Sequence, residues 1–402
     1  MNRRIVATLL ALSLIPQLAA GQRLPDRFGP AWKPVEAFFH QVLEDEGVVG
    51  GSLMFFHGDT VLAKDYHGFA DLGTGRKVDE STIFHWASIT KTFTAVALLQ
   101  LRDRGLVSVD DPVVKFVPEL RMVHNTFGPM EAISLRQLLS HSAGFRNPTW
   151  PWAGDQPWHP FEPTQWSQLV AMMPYTEILF APGSKYSYSN PGLVFVGRTI
   201  EALAGEDYEV YVEKNVLRPL GMGSAFFDRS PYHLLPFRSN NYDVKDGVPT
   251  PNGLDFDTGI TVSNGGLNAS VGDLVKYLQF LAGAPGLSAP ARGVLARQTL
   301  EEMWRPLLPV GGTTTDSIGM GFFIYRPNGV RLIGHTGSQR AFRSFFLIDP
   351  ETKAGVVAAF NTAPVDDPRN PTDAGPVKPR IPLIFEGLID RLTKAIFPLY
   401  RR

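Results

Sequence analysis

The sequence predicts an α+β fold: an antiparallel sheet built from both ends of the chain, flanked by helices, with a helical subdomain inserted between its halves. Three observations predict it. Two apolar, β-rich runs stand near the start, at residues 51–57 and 60–67. About four more stand near the end, at 319–325, 330–334, 343–348 and 355–360. What lies between reads as helices and loops, without the regular strand–helix alternation of a parallel sheet.

Each element has a local reason. The first residues carry Arg3 and Arg4, then an apolar run from Ile5 to Ile15, then Pro16 and the small residues Ala19, Ala20 and Gly21. This is the pattern of a secretory signal peptide, and the run is shorter than the roughly 20 residues of a membrane span. The expected mature chain is therefore secreted or periplasmic, from about residue 22, with no membrane span. A helix is expected over 31–46, closed by Gly47. Gly58 and Asp59 part the first two apolar runs as a hairpin turn. Residues 89–103 are a long apolar run of helix formers stopped by Gly105, which predicts a buried helix.

The middle carries capping signals. Ser134 and Gln137 stand at capping-box spacing before Leu138, with Gly144 past the end. A helix over 191–203 has Pro191 at its first position and Gly205 beyond it. Ser270 and Asp273 open another, through Leu281. Long loops are expected at 145–166, dense in Trp and Pro, and at 237–266, rich in Asn, Asp, Gly and Pro. Asp349 to Thr352 form a turn between the last two strands, and 381–397 a closing helix. The expected division places the sheet subdomain at about 28–105 and 315–400 and the helical subdomain at about 106–314, one domain with a cleft between its parts.

Composition removes several function classes. A formal net charge of -1 gives no electrostatic footprint for nucleic acid. The absence of cysteine excludes disulfides, thiolate catalysis and cysteine-ligated metals. Serine is left as a nucleophile.

Three short elements carry candidate chemistry. Ser88 and Lys91 stand three apart at the start of the buried helix, which puts both on one helix face. A partly desolvated lysine loses affinity for its proton and can activate the serine. The spacing alone is a weak signal, but it occurs once in this chain. Tyr188, Ser189 and Asn190 precede Pro191, so they form a loop ending at a helix start. Tyr188 can share proton traffic with Lys91, and a phenolate beside an ammonium would be stabilised. Asn190 can hold the lysine and a substrate amide, or else cap the helix. His335, Thr336 and Gly337 follow a strand-like segment, where Gly337 permits close backbone approach.

Taken together, in this order, the three elements resemble the motifs of the serine β-lactamase and penicillin-binding protein superfamily, nearest its class C, D-aminopeptidase and esterase branch. Further landmarks agree: Asp110, Asp111 and Pro112; Leu138 through Gly144; Gly265, Gly266 and Leu267 before Asp273; and Gly337 through Asn361. The resemblance spans about Phe28 to Phe397 and implies a β-lactamase/transpeptidase-like fold. It implies Ser88 as acylated nucleophile, with Lys91 and Tyr188 sharing general-base and general-acid roles. The backbone N–H groups of Ser88 and Ser338 would form the oxyanion hole, while Asn190, His335, Thr336 and Gly337 bind or orient substrate. No metal and no cofactor is implied, and the partner is a small-molecule or short-peptide substrate.

One departure bears on specificity. His335 stands where penicillin-binding proteins and most β-lactamases carry lysine. Histidine is mostly neutral at pH 7, so a substrate carboxylate should be held weakly and better below about pH 6.5. A structural hydrogen bond is the other reading of His335. The aromatic loop, with Trp150, Trp152, Trp158, Phe161 and Trp166, either rims the cleft or packs its own rings on the helical subdomain. His141 is expected to satisfy helix-end backbone groups, and Ser140 to Gly144 lack the first glycine of a nucleophile elbow. The expected function is an exported serine hydrolase of esters, amides or small peptides. A D-Ala-D-Ala carboxypeptidase or β-lactamase, and a non-catalytic binding module, are the alternatives.

Overall fold

The computed structural model of the chain describes residues 27–147, 163–245, 247–254, 257–311, 315–364 and 381–401. The expected signal peptide, and Trp150, Trp152, Trp158 and Phe161 of the aromatic loop, lie outside these residues.

Helix α1 (Phe28–Asp45) leads in because Phe28, Trp32, Val35, Phe39 and Leu43 recur on one face and are buried. It is followed by the expected hairpin of β1 (Gly50–His57) and β2 (Thr60–Asp71), the latter running beyond His67, and by the short β3 (Arg76–Lys77). The buried helix is α2 (Thr90–Asp103), every residue from Thr90 to Leu101 being inside. Helix α3 (Asn190–Ala204) is capped by the Ser189 side chain, not by Asn190, and ends on left-handed Gly205. Helix α4 (Val271–Ala282) is capped by Ser270.

The chain then returns to the sheet with β4 (Leu308–Pro309), β5 (Thr315–Ile318), β6 (Phe323–Tyr325), β7 (Leu332–Gln339), β8 (Phe342–Asp349) and β9 (Ala354–Phe360). Helix α5 (Ile381–Arg391) closes it, continued by a wider turn over Leu392–Ile396. The nine strands run β3-β2-β1-β9-β8-β7-β6-β5-β4, each pair antiparallel. The join between the two chain ends is β1 against β9, from Gly51 opposite Phe360 to His57 opposite Ala354.

Both sheet faces are covered, which is why β1 reads as an unbroken apolar run. Leu53 and Phe55 pack with α1 and α5, while Met54 and Phe56 pack with the α2 side. No helix among the described residues is long and apolar enough to cross a membrane.

Three expectations are corrected. Of the strand expected at 319–325 only Phe323–Tyr325 is strand, and residues 319–322 are the turn that joins it to β5. Gly319 is pressed on Met303, where an added Cβ would lie 2.1 Å from the carbonyl oxygen, and Gly321 has φ 77°, so the backbone must turn. The loop expected at 237–266 contains a second hairpin, Tyr242–Lys245 with Val248–Pro251, which Thr362–Pro364 extends in parallel. Its prolines and polar residues hide the strand pattern. Trp166 begins a helix, Trp166–Met172, and its ring lies against Phe195 and the Arg198 guanidinium, on the helical part of the molecule.

Candidate active site

The path to the site begins with a forced turn. Trp86 donates its backbone N–H to the Leu267 carbonyl at 2.8 Å and its indole N–H to the Ala269 carbonyl at 3.0 Å. Ala87 then takes a left-handed backbone, φ 49°, which a residue with a Cβ adopts at a cost. A single tight turn, Ala87–Ile89, leads into α2. Ser88 is its only residue that keeps solvent contact. The candidate nucleophile is thus held at a bend before the helix, not within it.

Lys91 is wholly buried. Its Nζ donates to Ser88 Oγ at 2.9 Å and to the Asn264 carbonyl at 2.8 Å. No carboxylate among the described residues pairs with it. Burial alone pushes its pKa well below the ordinary lysine value. Asn264 is a residue that sequence reasoning missed. It lies one position before the glycine pair singled out there, and it serves through a backbone carbonyl, which leaves no mark on residue type.

Tyr188 meets this pair from the other side. Its ring centroid lies 5.0 Å from Lys91 Nζ, and its hydroxyl hydrogen-bonds with Ser88. Burial drives the phenol pKa up, and the Ser88 bond opposes that only in part. The sequence left open a phenolate beside an ammonium. The structure instead shifts both groups toward neutral forms, since a buried cavity penalises each charge. Asn190 donates from its side chain to Asn147 Oδ1 at 3.4 Å, while the lysine-orienting acceptor expected of it is supplied by Asn264.

His141 supports the Tyr188 loop. It has φ 52°, its ring centroid lies 4.3 Å from that of Tyr188, and its Nδ1 accepts the Ser189 backbone N–H at 3.2 Å. As expected, it serves helix-end backbone groups: its ring takes the amide of Ser189, the N-cap of α3 across the site, and its own backbone N–H donates to the Leu138 carbonyl at 3.1 Å, where the preceding helix ends. Burial, then Lys91 and His335, hold its pKa well below the usual histidine value.

The third wall is β7. His335, Thr336 and Gly337 lie inside this strand rather than in an exposed turn. Gly337 is pressed on the Ser88 turn: an added Cβ would lie 2.3 Å from the Trp86 carbonyl oxygen and 2.3 Å from Ser344 Oγ. Ser338 follows it, paired with Arg343, and Thr336 and Ser338 are exposed. His335 is 2% exposed, its Nδ1 donates to the Thr336 carbonyl at 2.6 Å, and its Nε2 is buried without a hydrogen-bond partner. Phe323 and Tyr188 enclose the ring, at 5.0 and 6.4 Å between centroids. Burial, reinforced by Lys91, lowers its pKa to about 3. Burial and this lowered pKa favour the neutral imidazole and run against the pH switch expected near 6.5.

Comparison with known proteins places the fold. The Beta-lactamase family model matches residues 35–375. Protein flp of Staphylococcus aureus is 24% identical over 327 residues, 81% of this chain and 62% of that protein. The chain thus spans less than two thirds of these relatives' length. Esterase EstB of Burkholderia gladioli is 28% identical over 281 residues, 63% of this chain and 70% of the esterase. A class C beta-lactamase superposes with a TM-score of 0.72 at 18% identity, covering 91% of this chain and 96% of the other, a likeness of fold.

Proposed function

This chain belongs to the Beta-lactamase family of serine hydrolases, and on that premise we propose that it hydrolyses an ester, amide or small peptide bond through an acyl-enzyme on Ser88. The observation that carries the reading is the 2.9 Å contact from a buried Lys91, free of any carboxylate partner among the described residues, to a solvent-reachable Ser88.

In this reading neutral Lys91 is the general base that takes the Ser88 hydroxyl proton as Oγ attacks the carbonyl. The ammonium so formed is stabilised by the Asn264 carbonyl. Tyr188, held protonated by burial, is the general acid that delivers a proton to the departing group. Deacylation reverses the roles, with water in place of the leaving group. The Ser88 and Ser338 backbone N–H groups receive the developing oxyanion, beside the close approach of Gly337 to the Trp86 carbonyl.

A neutral His335 supplies no cation for a carboxylate on the substrate. That supports an uncharged ester or amide over a D-Ala-D-Ala peptide or a β-lactam. The amino-terminal pattern supports export of the enzyme.

The test is covalent labelling of the purified full-length protein with a fluorophosphonate, read by intact-protein and peptide mass spectrometry. An adduct on Ser88, absent in Ser88→Ala together with turnover of a neutral ester, is the expected result. An unlabelled wild-type protein would leave the fold as a binding module instead.

A further inference from the structure

On the sheet face opposite the Ser88 turn, α1 and β2 bring together side chains that the hydrolase reading does not use. Glu36 and His40 are one helical turn apart on α1, and Asp65 faces them from β2. One ligating atom from each of the three lies within 4.8 Å of the others. His67, two residues on and on the same strand face, has its ring centroid 5.9 Å from that of His40. Leu53, directly opposite Asp65 in the register, belongs to the α1-facing core, which fixes the side of the sheet.

Asp65 is the buried member of the three. It is only 7% exposed, and its hydrogen-bond donor is the Trp32 indole N–H, 3.0 Å from one carboxylate oxygen. No lysine or arginine among the described residues pairs with it. A carboxylate buried beside a further carboxylate, with one neutral donor, carries an unfavourable desolvation cost. A cation between Glu36, His40 and the remaining oxygen of Asp65 would remove that cost.

We propose that Glu36, His40 and Asp65 form a structural binding site for a divalent transition-metal ion, zinc by ligand chemistry. An imidazole with carboxylates suits zinc better than the all-oxygen shells of calcium or magnesium. Tetrahedral zinc needs its ligand atoms roughly 3.3 Å apart. Rotamer adjustment of the exposed Glu36 and the half-buried His40 closes the difference. Water or His67 fills the fourth position. The Trp32 indole orients the ligating carboxylate, as outer donors do in metal sites. The ion would clamp α1 to β2 and take no part in hydrolysis.

The test uses untagged full-length protein stripped with a chelator. Titration calorimetry with zinc chloride should show one saturable equivalent and a saturable rise in unfolding temperature. Cobalt(II) in its place should give the visible bands of a tetrahedral nitrogen–oxygen site. Glu36→Gln and His40→Gln change surface-reachable positions and should fold, by circular dichroism, yet weaken zinc binding at least tenfold. Absence of saturable binding, or unchanged binding in both variants, overturns the site. Labelling of Ser88 should be the same with and without zinc, so this result is independent of the hydrolase reading.

Discussion

The rings of His141 and Tyr188 lie 4.3 Å apart, and the histidine Nδ1 accepts the backbone N–H of the residue that follows the tyrosine. One buried side chain thus fixes both the ring and the backbone of the Tyr188 loop. His141→Ala should cost about 2–4 kcal/mol of stability, from lost packing and an unsatisfied amide. It should also lower kcat more than it raises KM for a neutral ester. Denaturant unfolding and steady-state kinetics check this, and wild-type kcat in a destabilised variant would remove the positioning role.

Lys91 carries a pKa held low by burial alone. If it is the base, kcat/KM for an uncharged ester should rise with pH and level off well short of the ordinary lysine value of about 10.4. Lys91→Ala should lose about 10²–10⁴-fold in kcat. A rate still climbing at pH 10 would show that the ammonium form rests in the site.

The buried histidines predict a stability that falls in acid. The pKa of His335 is lowered to about 3 and that of His85 to about 4, chiefly by burial. Their folded pKa values lie below the unfolded value of about 6.5, so the unfolded chain binds more protons between these limits. Their stabilising contribution is complete above pH 6.5 and lost as pH falls toward 3–4. Each adds about 1.4 kcal/mol per pH unit to the slope of stability against pH. His335→Gln should reduce the slope by one such increment, measured by urea unfolding from pH 7 to 4.5.

The same group bears on specificity. With His335 neutral, binding of a carboxylate-bearing ester should be flat from pH 5 to 8. His335→Lys should improve its KM relative to the uncharged ester, at some loss of stability from a buried cation. Competitive kinetics with the paired esters checks this. A wild-type KM that improves sharply below pH 6.5 would reinstate the imidazolium.

Gly337 admits no side chain. In Gly337→Ala the new methyl would meet the Trp86 carbonyl and Ser344 Oγ. The strand must shift away from the Ser88 turn, costing about 2–3 kcal/mol and most of kcat. Thermal unfolding and turnover should fall together, whereas Thr336→Ser, at an exposed position, should leave stability unchanged.

The sequence by itself determined the elements and the cast. Apolar runs marked β1 and α2, and Gly47 the end of α1; the Ser134 and Gln137 capping box is present as read, and Ser270 caps α4. Ser88 and Lys91 meet because three-residue spacing at a helix start is local geometry, whereas Tyr188 reaches them only through tertiary packing. Hidden from the sequence was whatever depends on burial or on backbone atoms. The Asn264 carbonyl that holds Lys91 is invisible to residue identity. The charge states of Lys91, Tyr188 and His335 follow from how much solvent the packed elements exclude, a long-range property. The hairpin at 242–251 gave no clear alternation because of its prolines and polar residues, and its partner strand at 362–364 comes from the far end of the chain. Local rules name which groups can react; only the assembled cavity decides which protons they carry, because desolvation is set by every element that packs around them.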